Sequence, residues 1–286
     1  MPDPRTIRDA FDRAAGNYDR HAALEQEVCR RLLERCEFQR QAPARILDLG
    51  CGSGQGSEAL KRKYRKSLVI GLDFSLPMLA LLRRRSSLLR PLRAVCGDIA
   101  KLPLARGSMD LLFSNLAHHW CEPSAAVFDE LRRVLRPEGL LLFSALGPGS
   151  LVELREAWAE ADGPVDARPL PDLIEIGDAL VAAGFREPVM DMERITLHYP
   201  SLEALALELE STGGWLLLDG WERWRSDRQR LESAYASRLV EGRYPVTYEV
   251  VYGTAFGPPE GQPRRTRDGD VATISVDSLL KSRTVR

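Results

Sequence analysis

A short apolar segment runs directly into a glycine-rich turn near residue 50, and this feature constrains the fold most strongly. The segment reads ILDLGCGSG and places glycines at positions 50, 52 and 54, just before a helix predicted to begin near Gln55. Glycines at this spacing let the chain turn sharply and bring backbone N–H groups close to a ligand. The sequence therefore predicts a strand, a ligand-binding turn and a helix in succession.

Further short apolar segments follow this unit at regular intervals. The five predicted core strands are ARILDLG, SLVIGLD, LRAVCGD, MDLLFSN and GLLLFSAL. Each is apolar almost throughout, which is typical of parallel strands covered by helices on both faces. Helices predicted at about 56–66, 76–86 and 122–136 alternate with them. The pattern predicts an α/β, Rossmann-like, doubly wound fold with a mostly parallel seven-stranded sheet.

The flanking segments complete the predicted domain organisation. Residues 1–42 form an N-terminal helical cap, and residues 43–200 form the core, which includes later helices and the strand ERITLHYP. Residues 201–242 are helical in spacing and hold three of the five tryptophans, so they are interpreted as an insertion over the carboxyl edge of the sheet. That insertion is either a substrate-contacting lid or a packing subdomain. Residues 243–257 form the last strand, and the Pro-, Gly- and Arg-containing tail 258–286 is expected to be partly mobile.

Composition narrows the function classes. The formal net charge is −1, and no apolar run approaches the ~18 residues of a membrane span, so neither a nucleic acid nor a membrane is expected as a partner. The N-terminus lacks the apolar segment of a signal peptide, and the five cysteines contain no CxxC pair. We therefore expect a cytoplasmic protein without a metal site. A monomer is the expected oligomeric state. The basic run Arg83 to Arg85 is interpreted as a solvated helix face.

Acidic residues follow three successive predicted strands. Asp48 lies just before the glycine turn, where an acid suits a cationic methionine moiety better than a phosphate. Asp73 closes the second strand and is predicted to accept hydrogen bonds from two ribose hydroxyls. Asp98 is predicted to accept from an exocyclic adenine amine, with Ile99 on one ring face and Met78 on the other. For Asp98 alone, a helix N-cap is the competing interpretation.

The turn reads GxGxG rather than GxGxxG, although Gly56 follows, and this disfavours a nicotinamide dehydrogenase. Cys51 within the turn is interpreted as a small packing residue rather than a nucleophile. Asn115, at the end of the fourth strand, either touches the methionine moiety or caps the loop. The predicted cofactor-binding set is Asp48, Gly50, Cys51, Gly52, Gly54, Asp73, Phe74, Met78, Asp98, Ile99 and Asn115.

Residues 44–147, which include RVLRPEG, resemble the class I S-adenosylmethionine-dependent methyltransferases. Four further segments appear in order along the chain: FDRAAGNYDRHAAL, SNLAHHWC, LGPGSLVELREAW and GRYPVTYEVVYG. Together they resemble the malonyl-acyl-carrier-protein O-methyltransferases of biotin synthesis, over nearly the whole chain to about residue 257. The resemblance implies methyl transfer from S-adenosylmethionine to the free carboxylate of a malonyl thioester on an acyl carrier protein.

Such a reaction fits a sequence with no obvious general base, because a carboxylate is already ionised at pH 7. The candidate catalytic residues are Tyr18 in the N-terminal segment and His119 and Trp120 after the fourth strand. Tyr18 is predicted to hydrogen-bond the acceptor or the methionine carboxylate, with a buried core tyrosine as the alternative. One of His118 and His119 is expected to face the pocket and the other to face solvent. His21 shares the helical face of Tyr18 if that segment is helical.

The carrier implied by the resemblance is acidic, so a basic docking surface is expected. Candidate cations in and after the insertion are Arg223, Arg225, Arg228, Arg230, Arg238 and Arg243. Acidic residues lie among them, which favours ordinary surface ion pairs instead. Two positions depart from the family pattern: Glu25 replaces a common glutamine, and Glu210 replaces a common lysine. If that lysine holds the acceptor, Glu210 weakens the substrate assignment.

Three alternative functions remain open from the sequence. The flanks also look similar to a group of S-adenosylmethionine-fold proteins that hydroxylate arginine during assembly of respiratory complex I. A small-molecule O- or C-methyltransferase would favour a histidine as general base. A non-enzymatic binding module is disfavoured by the intact set of acids and glycines.

Overall fold

The computed structural model describes residues 3–38, 41–121, 125–163, 170–259, 264–266 and 269–271. The helices described there are α1 (Pro4–Ala14), α2 (Tyr18–His21), α3 (Ala23–Glu34), α4 (Gln55–Lys63), α5 (Leu76–Arg85), α6 (Ala125–Val134), α7 (Val152–Asp162), α8 (Leu173–Ala182), α9 (Leu202–Thr212), α10 (Trp221–Ser226) and α11 (Arg228–Tyr235). The strands are β1 (Arg45–Leu49), β2 (Leu68–Asp73), β3 (Leu92–Cys96), β4 (Met109–Ser114), β5 (Leu135–Leu146), β6 (Arg186–Tyr199), β7 (Tyr244–Phe256), β8 (Arg264–Thr266) and β9 (Gly269–Val271).

Seven strands form one sheet in the order β3-β2-β1-β4-β5-β7-β6. β1 is an interior strand, and its residue Ile46 is in register with Val69 of β2 on one side and with Leu111 of β4 on the other. The first five strands are parallel, and β7 runs antiparallel to its neighbours β5 and β6. The direction of winding reverses between β1 and β4, so the carboxyl ends of these strands form the crevice where such folds bind ligands. The predicted doubly wound fold is confirmed.

The hydrophobic core is divided between the two faces of this sheet. Because side chains alternate along a strand, Ile46 and Leu47 of β1 point to opposite faces, and both are fully buried. Ile46 joins a core that includes Val28 of α3, whereas Leu47 joins a core that includes Phe128 of α6 and Leu180 of α8. Burial on both faces explains why the strands are apolar almost throughout.

Strand pairing shifts two of the predicted boundaries. The predicted helix 122–136 ends at Val134, because Leu135 already pairs with Met109 of β4. The start of that helix, residues 122–124, lies outside the described residues. β6 begins well before the predicted ERITLHYP, since Arg186 is in register with Phe256 of β7.

The helical insertion before the last strand is confirmed, and its two halves pack differently. α9 packs against α1 and α2, on the side of the sheet where its parallel strands end. α10 buries Trp221 and Trp224, and the Trp224 ring lies 6.3 Å from the ring of Trp158 in α7. α11 packs on α7 as well. The second half is therefore mainly a packing unit, whereas α9 is placed to contact a ligand.

Most of the predicted mobile tail 258–286 lies outside the described residues. Its described parts include β8 and β9, which pair as an antiparallel hairpin with Arg264 opposite Val271. Among the described helices, none combines the length and the hydropathy needed to cross a membrane.

Candidate active site

A cavity of about 590 Å³ lies at the carboxyl ends of the central parallel strands. Its floor comes from the turns that follow β1, β2, β3 and β4, and its opposite wall comes from α1, α2, α3 and α9. The predicted site residues that line it are Tyr18, Gly50, Gly52, Asp73, Phe74, Asp98, Ile99, Asn115, His119 and Trp120. The structure therefore brings most of the predicted residues into one cavity.

The glycine-rich turn reaches the cavity through backbone conformations that side chains rarely adopt. Gly50 and Gly52 have φ values of 62° and 51°. A Cβ at Gly50 would lie 2.4 Å from the Cβ of Ala117, too close for any other residue. A Cβ at Gly52 would lie 3.8 Å from the ring of Tyr18. The turn thus packs tightly beneath Tyr18 and exposes its backbone to the cavity.

Asp73 holds this turn in place from the end of β2. Its Oδ2 accepts a hydrogen bond from the N–H of Gly52 at 2.9 Å, and its Oδ1 accepts from the N–H of Ser75 at 2.8 Å. Burial raises the pKa of Asp73 to about 6, against the lowering effect of these backbone bonds. An ionised carboxylate can accept about four hydrogen bonds, so acceptor positions remain for a ligand.

Asp48 does not line the cavity, contrary to the sequence prediction. Its side chain is 2% exposed and lies beneath the turn, where Oδ2 accepts from the Ser57 hydroxyl at 2.6 Å. Burial raises its pKa to about 7. Asp48 therefore links β1 to α4 from below the turn instead of facing a ligand.

Three other predicted cofactor residues also lie outside the cavity wall. Cys51 packs over Gly71: a Cβ added at Gly71 would lie 2.9 Å from the cysteine sulfur. This agrees with the interpretation of Cys51 as a packing residue. Gly54 begins α4 in a left-handed conformation and packs against Leu82. Met78 is fully buried in a small cluster with residues of α1, so it is not placed to cover a ring in the cavity.

Asp98 and Ile99 line the cavity from the turn after β3. Asp98 is exposed, and its Oδ1 accepts from the N–H of Ala100 at 2.9 Å. It caps this short turn and not a helix, so the N-cap interpretation is wrong. Ile99 is buried, and its Cδ1 lies 3.6 Å from the position that a Cβ on Gly50 would occupy. The pair offers one polar and one apolar contact on the same wall.

Asn115 connects three elements at the end of β4. Its side-chain amide donates to the backbone oxygen of Glu25 in α3 at 2.9 Å, and its Oδ1 accepts from the Ser144 hydroxyl of β5 at 3.1 Å. Asn115 lines the cavity, but its side-chain amide and carbonyl both have protein partners. Its evident task is to position α3 against the sheet.

The two histidines after β4 have different surroundings. His119 lines the cavity, and its ring lies 4.8 Å from the ring of Trp120, which in turn contacts Phe11 of α1. His118 is buried with its ring stacked on Phe143, and burial lowers its pKa to about 4. The expectation that the second histidine faces solvent is therefore wrong.

Tyr18 covers the glycine turn from α2. Burial raises the pKa of its phenol well above the usual value, and the carboxylates of Glu25 and Asp73 add to this shift. The hydroxyl therefore stays protonated at neutral pH and can donate a hydrogen bond. His21 lies one turn further along α2, as predicted, but it is not among the lining residues.

A polar network ties α2 to the glycine turn. Asp19 accepts from the Ser53 hydroxyl at 2.5 Å and from the Gln55 amide at 2.8 Å, and it pairs with Arg85 of α5. Arg85 also donates to the Ser53 backbone oxygen and pairs with Glu58 at 3.0 Å. Arg85 is thus a structural anchor, so the solvated-face interpretation of the basic run is wrong for this residue.

Sequence reasoning missed two acids and a tyrosine that line the cavity: Glu25, Glu208 and Tyr248. A signal for Glu25 was present, because it shares the apolar face of α3 with Val28, Cys29 and Leu32 at helical spacing. Glu208 lies in the same way on the buried face of α9. An acid within an apolar helix face indicates a functional site when no partner neutralises it.

These two acids have raised pKa values. Burial raises the pKa of Glu25 to about 8 and also raises that of Glu208. Glu208 accepts a hydrogen bond from the Tyr199 hydroxyl at 2.5 Å, which opposes its shift. Oε2 of Glu25 is buried without a hydrogen-bond partner among the described residues.

Cationic side chains line only the outer part of this cavity, as far as the described residues show. They are Arg5 and Arg8, both exposed and both on α1. Glu210 does not line the cavity and pairs with Arg225 of α10 at 3.1 Å. Its replacement of lysine therefore does not place a negative charge beside a ligand.

The basic residues of the insertion mostly form ion pairs. Arg238 pairs with Glu160 of α7 at 2.5 Å and with Glu156 at 3.6 Å. Two further pairs join Arg228 to Glu203 and Arg230 to Asp227. These contacts support the ion-pair interpretation over a dedicated docking surface.

Residues 47–143 match the family described as "Methyltransferase domain". Curated relatives extend the similarity to almost the whole chain. The malonyl-[acyl-carrier protein] O-methyltransferase of Laribacter hongkongensis is 43% identical over 278 residues, covering 93% of this chain and 94% of the relative. The protein of the same name from Gallionella capsiferriformans is 43% identical over 288 residues, covering 98% of each chain.

Solved structures share the fold at much lower sequence identity. Phosphoethanolamine N-methyltransferase 2 of Haemonchus contortus is 18% identical, with a TM-score of 0.56, covering 90% of this chain and 62% of that chain. The YcgJ protein from Bacillus subtilis is 14% identical, with a TM-score of 0.55, covering 79% of this chain and 97% of that chain. At such identities the likeness is one of fold.

Proposed function

The chain belongs to the malonyl-[acyl-carrier protein] O-methyltransferase family, and we propose on this basis that it methylates the free carboxylate of a malonyl thioester on an acyl carrier protein. The product is the malonyl methyl ester with which pimeloyl synthesis for biotin begins. The observation that carries the proposal is similarity over nearly the full length. It includes the N-terminal helices and α9, which form the wall opposite the glycine turn, as well as the methyltransferase domain.

The cofactor is S-adenosylmethionine, and the residues of the cavity fit it. Asp73 has a buried carboxylate on the cavity wall with acceptor positions to spare, which suits two ribose hydroxyls. We assign the adenine to the wall formed by Asp98 and Ile99. The exposed backbone of Gly50 and Gly52 is assigned to the methionine part.

When bound, S-adenosylmethionine supplies an electrophilic methyl group on a sulfonium sulfur. A malonyl carboxylate is ionised at neutral pH, since carboxylic acids have pKa values near ~4 in water. No residue of the chain has to remove a proton before the carboxylate attacks. The cavity residues therefore act by binding and orienting the acceptor, a contribution that reaches ~7–11 kcal/mol in favourable cases.

Apolar side chains form much of the cavity wall, and we assign to them the exclusion of water from the acceptor. Leu24, Leu146, Leu209 and Leu217 line the cavity and are almost fully buried. A carboxylate with fewer hydrating waters is a better nucleophile, and exclusion of water strengthens each remaining polar contact. Tyr18, with its protonated phenol, is assigned to donate to a carboxylate of the acceptor or of the methionine part.

The alternatives of complex I assembly and of small-molecule methylation gain no support from the relatives compared above. His119 and Trp120 line the cavity, and we assign them to the acceptor side rather than to base catalysis. A monomeric state and a cytoplasmic location stay predictions, as does the absence of nucleic-acid and membrane partners.

The test is to incubate the enzyme with S-adenosylmethionine labelled in its methyl group and with malonyl-acyl carrier protein. We expect label on the carrier as a methyl ester that mild base removes. Malonyl-coenzyme A and acetyl-acyl carrier protein serve as controls for the carrier and for the free carboxylate. The proposal fails if the malonyl carrier acquires no label, or if acetyl carrier is labelled equally well.

A further inference from the structure

Glu25 is the one acid of α3 that lines the cavity among the described residues. Its backbone oxygen accepts from the side-chain amide of Asn115, and this bond fixes residue 25 at the tip of β4. Its Oε2 is buried and has no hydrogen-bond partner in the described part of the chain. A buried, unpaired carboxyl oxygen destabilises the folded chain, so a chain retains one most readily where a ligand supplies the partner.

Within the part of the chain that the structure describes, no cationic side chain contributes to the pKa of Glu25. Glu208 of α9 lies close enough to raise the pKa of Glu25 further. Tyr248 of β7 and Tyr18 of α2 line the same cavity, and an ionised Glu25 raises the pKa values of both phenols. His119, after β4, lines the same cavity. His21 acts on Glu208, where it opposes part of the rise in pKa that burial causes.

Burial has a direct consequence for the protonation state of Glu25. It raises the pKa of this carboxyl group to about 8, an effect that Glu208 increases and the backbone amide of Glu25 opposes. At pH 7 Glu25 therefore carries a proton in the enzyme without ligand. A protonated carboxyl group has an O–H donor, which an ionised one lacks.

We propose that the protonated carboxyl group of Glu25 donates a hydrogen bond to the free carboxylate of the acceptor and thereby selects for an acid over its methyl ester. This inference rests on the proposed function. The acceptor carboxylate enters a region walled by acids, where it would be repelled unless one of them were neutral. In the substrate the acceptor of this hydrogen bond is an ionised carboxylate, whereas in the product it is an uncharged ester. Hydrogen bonds to an ionised group are roughly twice as strong as bonds between neutral groups. Glu25 thus favours substrate binding and product release, and it keeps its proton because methylation of a carboxylate consumes none.

The test compares Glu25→Ala and Glu25→Gln with the wild type, using malonyl-acyl carrier protein as the acceptor. For Glu25→Ala we expect KM for the carrier to rise about 10- to 100-fold, as for loss of one hydrogen bond to a charged group. The dissociation constant of S-adenosylmethionine, measured by calorimetry, changes by less than about threefold, because distant contacts remain intact. Glu25→Gln retains a neutral donor and recovers part of the lost affinity. Glu34→Gln, on the exposed side of α3, is the matched control with unchanged constants.

The pH profile gives an independent readout. Only the protonated form of Glu25 can donate the hydrogen bond to the acceptor. Wild-type kcat/KM for the carrier therefore falls as pH rises through about 8. Glu25→Gln has no group that titrates at this position, and its profile lacks that alkaline decrease.

Two results overturn the inference while leaving the proposed function intact. One is that Glu25→Ala has the same KM for the carrier as the wild type. The other is that Glu25→Ala loses as much affinity for S-adenosylmethionine as for the carrier, which would assign Glu25 to the methionine part of the cofactor. If the wild-type enzyme itself fails to methylate malonyl-acyl carrier protein, the proposed function is wrong and the assignment of Glu25 falls with it.

Discussion

Asp48 and Asp73 are both acids near the ends of neighbouring strands, yet only Asp73 reaches the cavity. The reason lies in the register of β1 and β2. Asp48 is in register with Gly71 and so lies below the tip of β2, where the turn covers it, whereas Asp73 is the last residue of β2. Both acids were predicted from the sequence to lie near the turn, and both do. The depth of each side chain was not predicted, because depth depends on how neighbouring strands are staggered.

Among single residues, Asp73 is expected to contribute most directly to cofactor binding. Asp73→Asn keeps the size of the side chain but loses the charge that strengthens bonds to the ribose hydroxyls. We expect S-adenosylmethionine to bind about 10- to 100-fold more weakly by calorimetry, equivalent to one charge-assisted hydrogen bond. Asp178→Asn, an exposed change on α8, serves as the control. Unaltered affinity in Asp73→Asn would show that the ribose lies elsewhere.

At the scale of elements, the short helix α2 depends on contacts outside itself. A helix of one turn is unstable alone, and its position over the glycine turn comes from the network around Asp19 and Arg85. This network also orients Tyr18, the neighbour of Asp19. This network was not predicted from the sequence, because Arg85 lies far from Asp19 along the chain and belongs to a basic run that was interpreted as a solvated helix face.

The variant Arg85→Ala tests whether this network holds α2 on the glycine turn. Removal of Arg85 leaves Asp19 with its hydroxyl and amide partners only, so α2 should detach more often from the turn. We expect faster amide hydrogen exchange across residues 4–21 and a KM for S-adenosylmethionine raised about fivefold, equivalent to roughly 1 kcal/mol for a partly exposed ion-pair network. Arg84→Ala, at the exposed neighbouring position, is the matched variant and should match the wild type. Equal exchange rates in the two variants would contradict the anchoring role.

The insertion illustrates how an element can be predicted without its role. Helical spacing identified residues 201–242, and α9 to α11 lie within that range. Only the structure separates α9, which contributes Glu208 to the cavity, from α10 and α11, which pack on α7. Both halves are apolar on one face, and periodicity does not distinguish a face that meets a ligand from one that meets another helix.

At the scale of the whole molecule, the sequence predicts the sheet better than the site. Apolar strands buried on both faces, interrupted by helical segments, leave few possible arrangements, and the predicted one is confirmed. The cavity forms where elements distant in sequence converge, so residues such as Met78 were placed wrongly and Glu208 was missed. Glu25 was noticed only as a departure from a pattern, although an acid on an apolar helix face already indicated a special environment.

The most direct test is a crystal structure of the enzyme with S-adenosylhomocysteine and malonyl-pantetheine, a thioester without its carrier. We expect the ribose hydroxyls on Asp73 and the malonyl carboxylate within hydrogen-bonding distance of Glu25, at roughly 2.5–3.0 Å between oxygens. A nucleoside bound outside this cavity would show that the proposed cofactor site is wrong. A malonyl group bound with its thioester, and not its carboxylate, directed toward Glu25 would show that the role proposed for Glu25 is wrong.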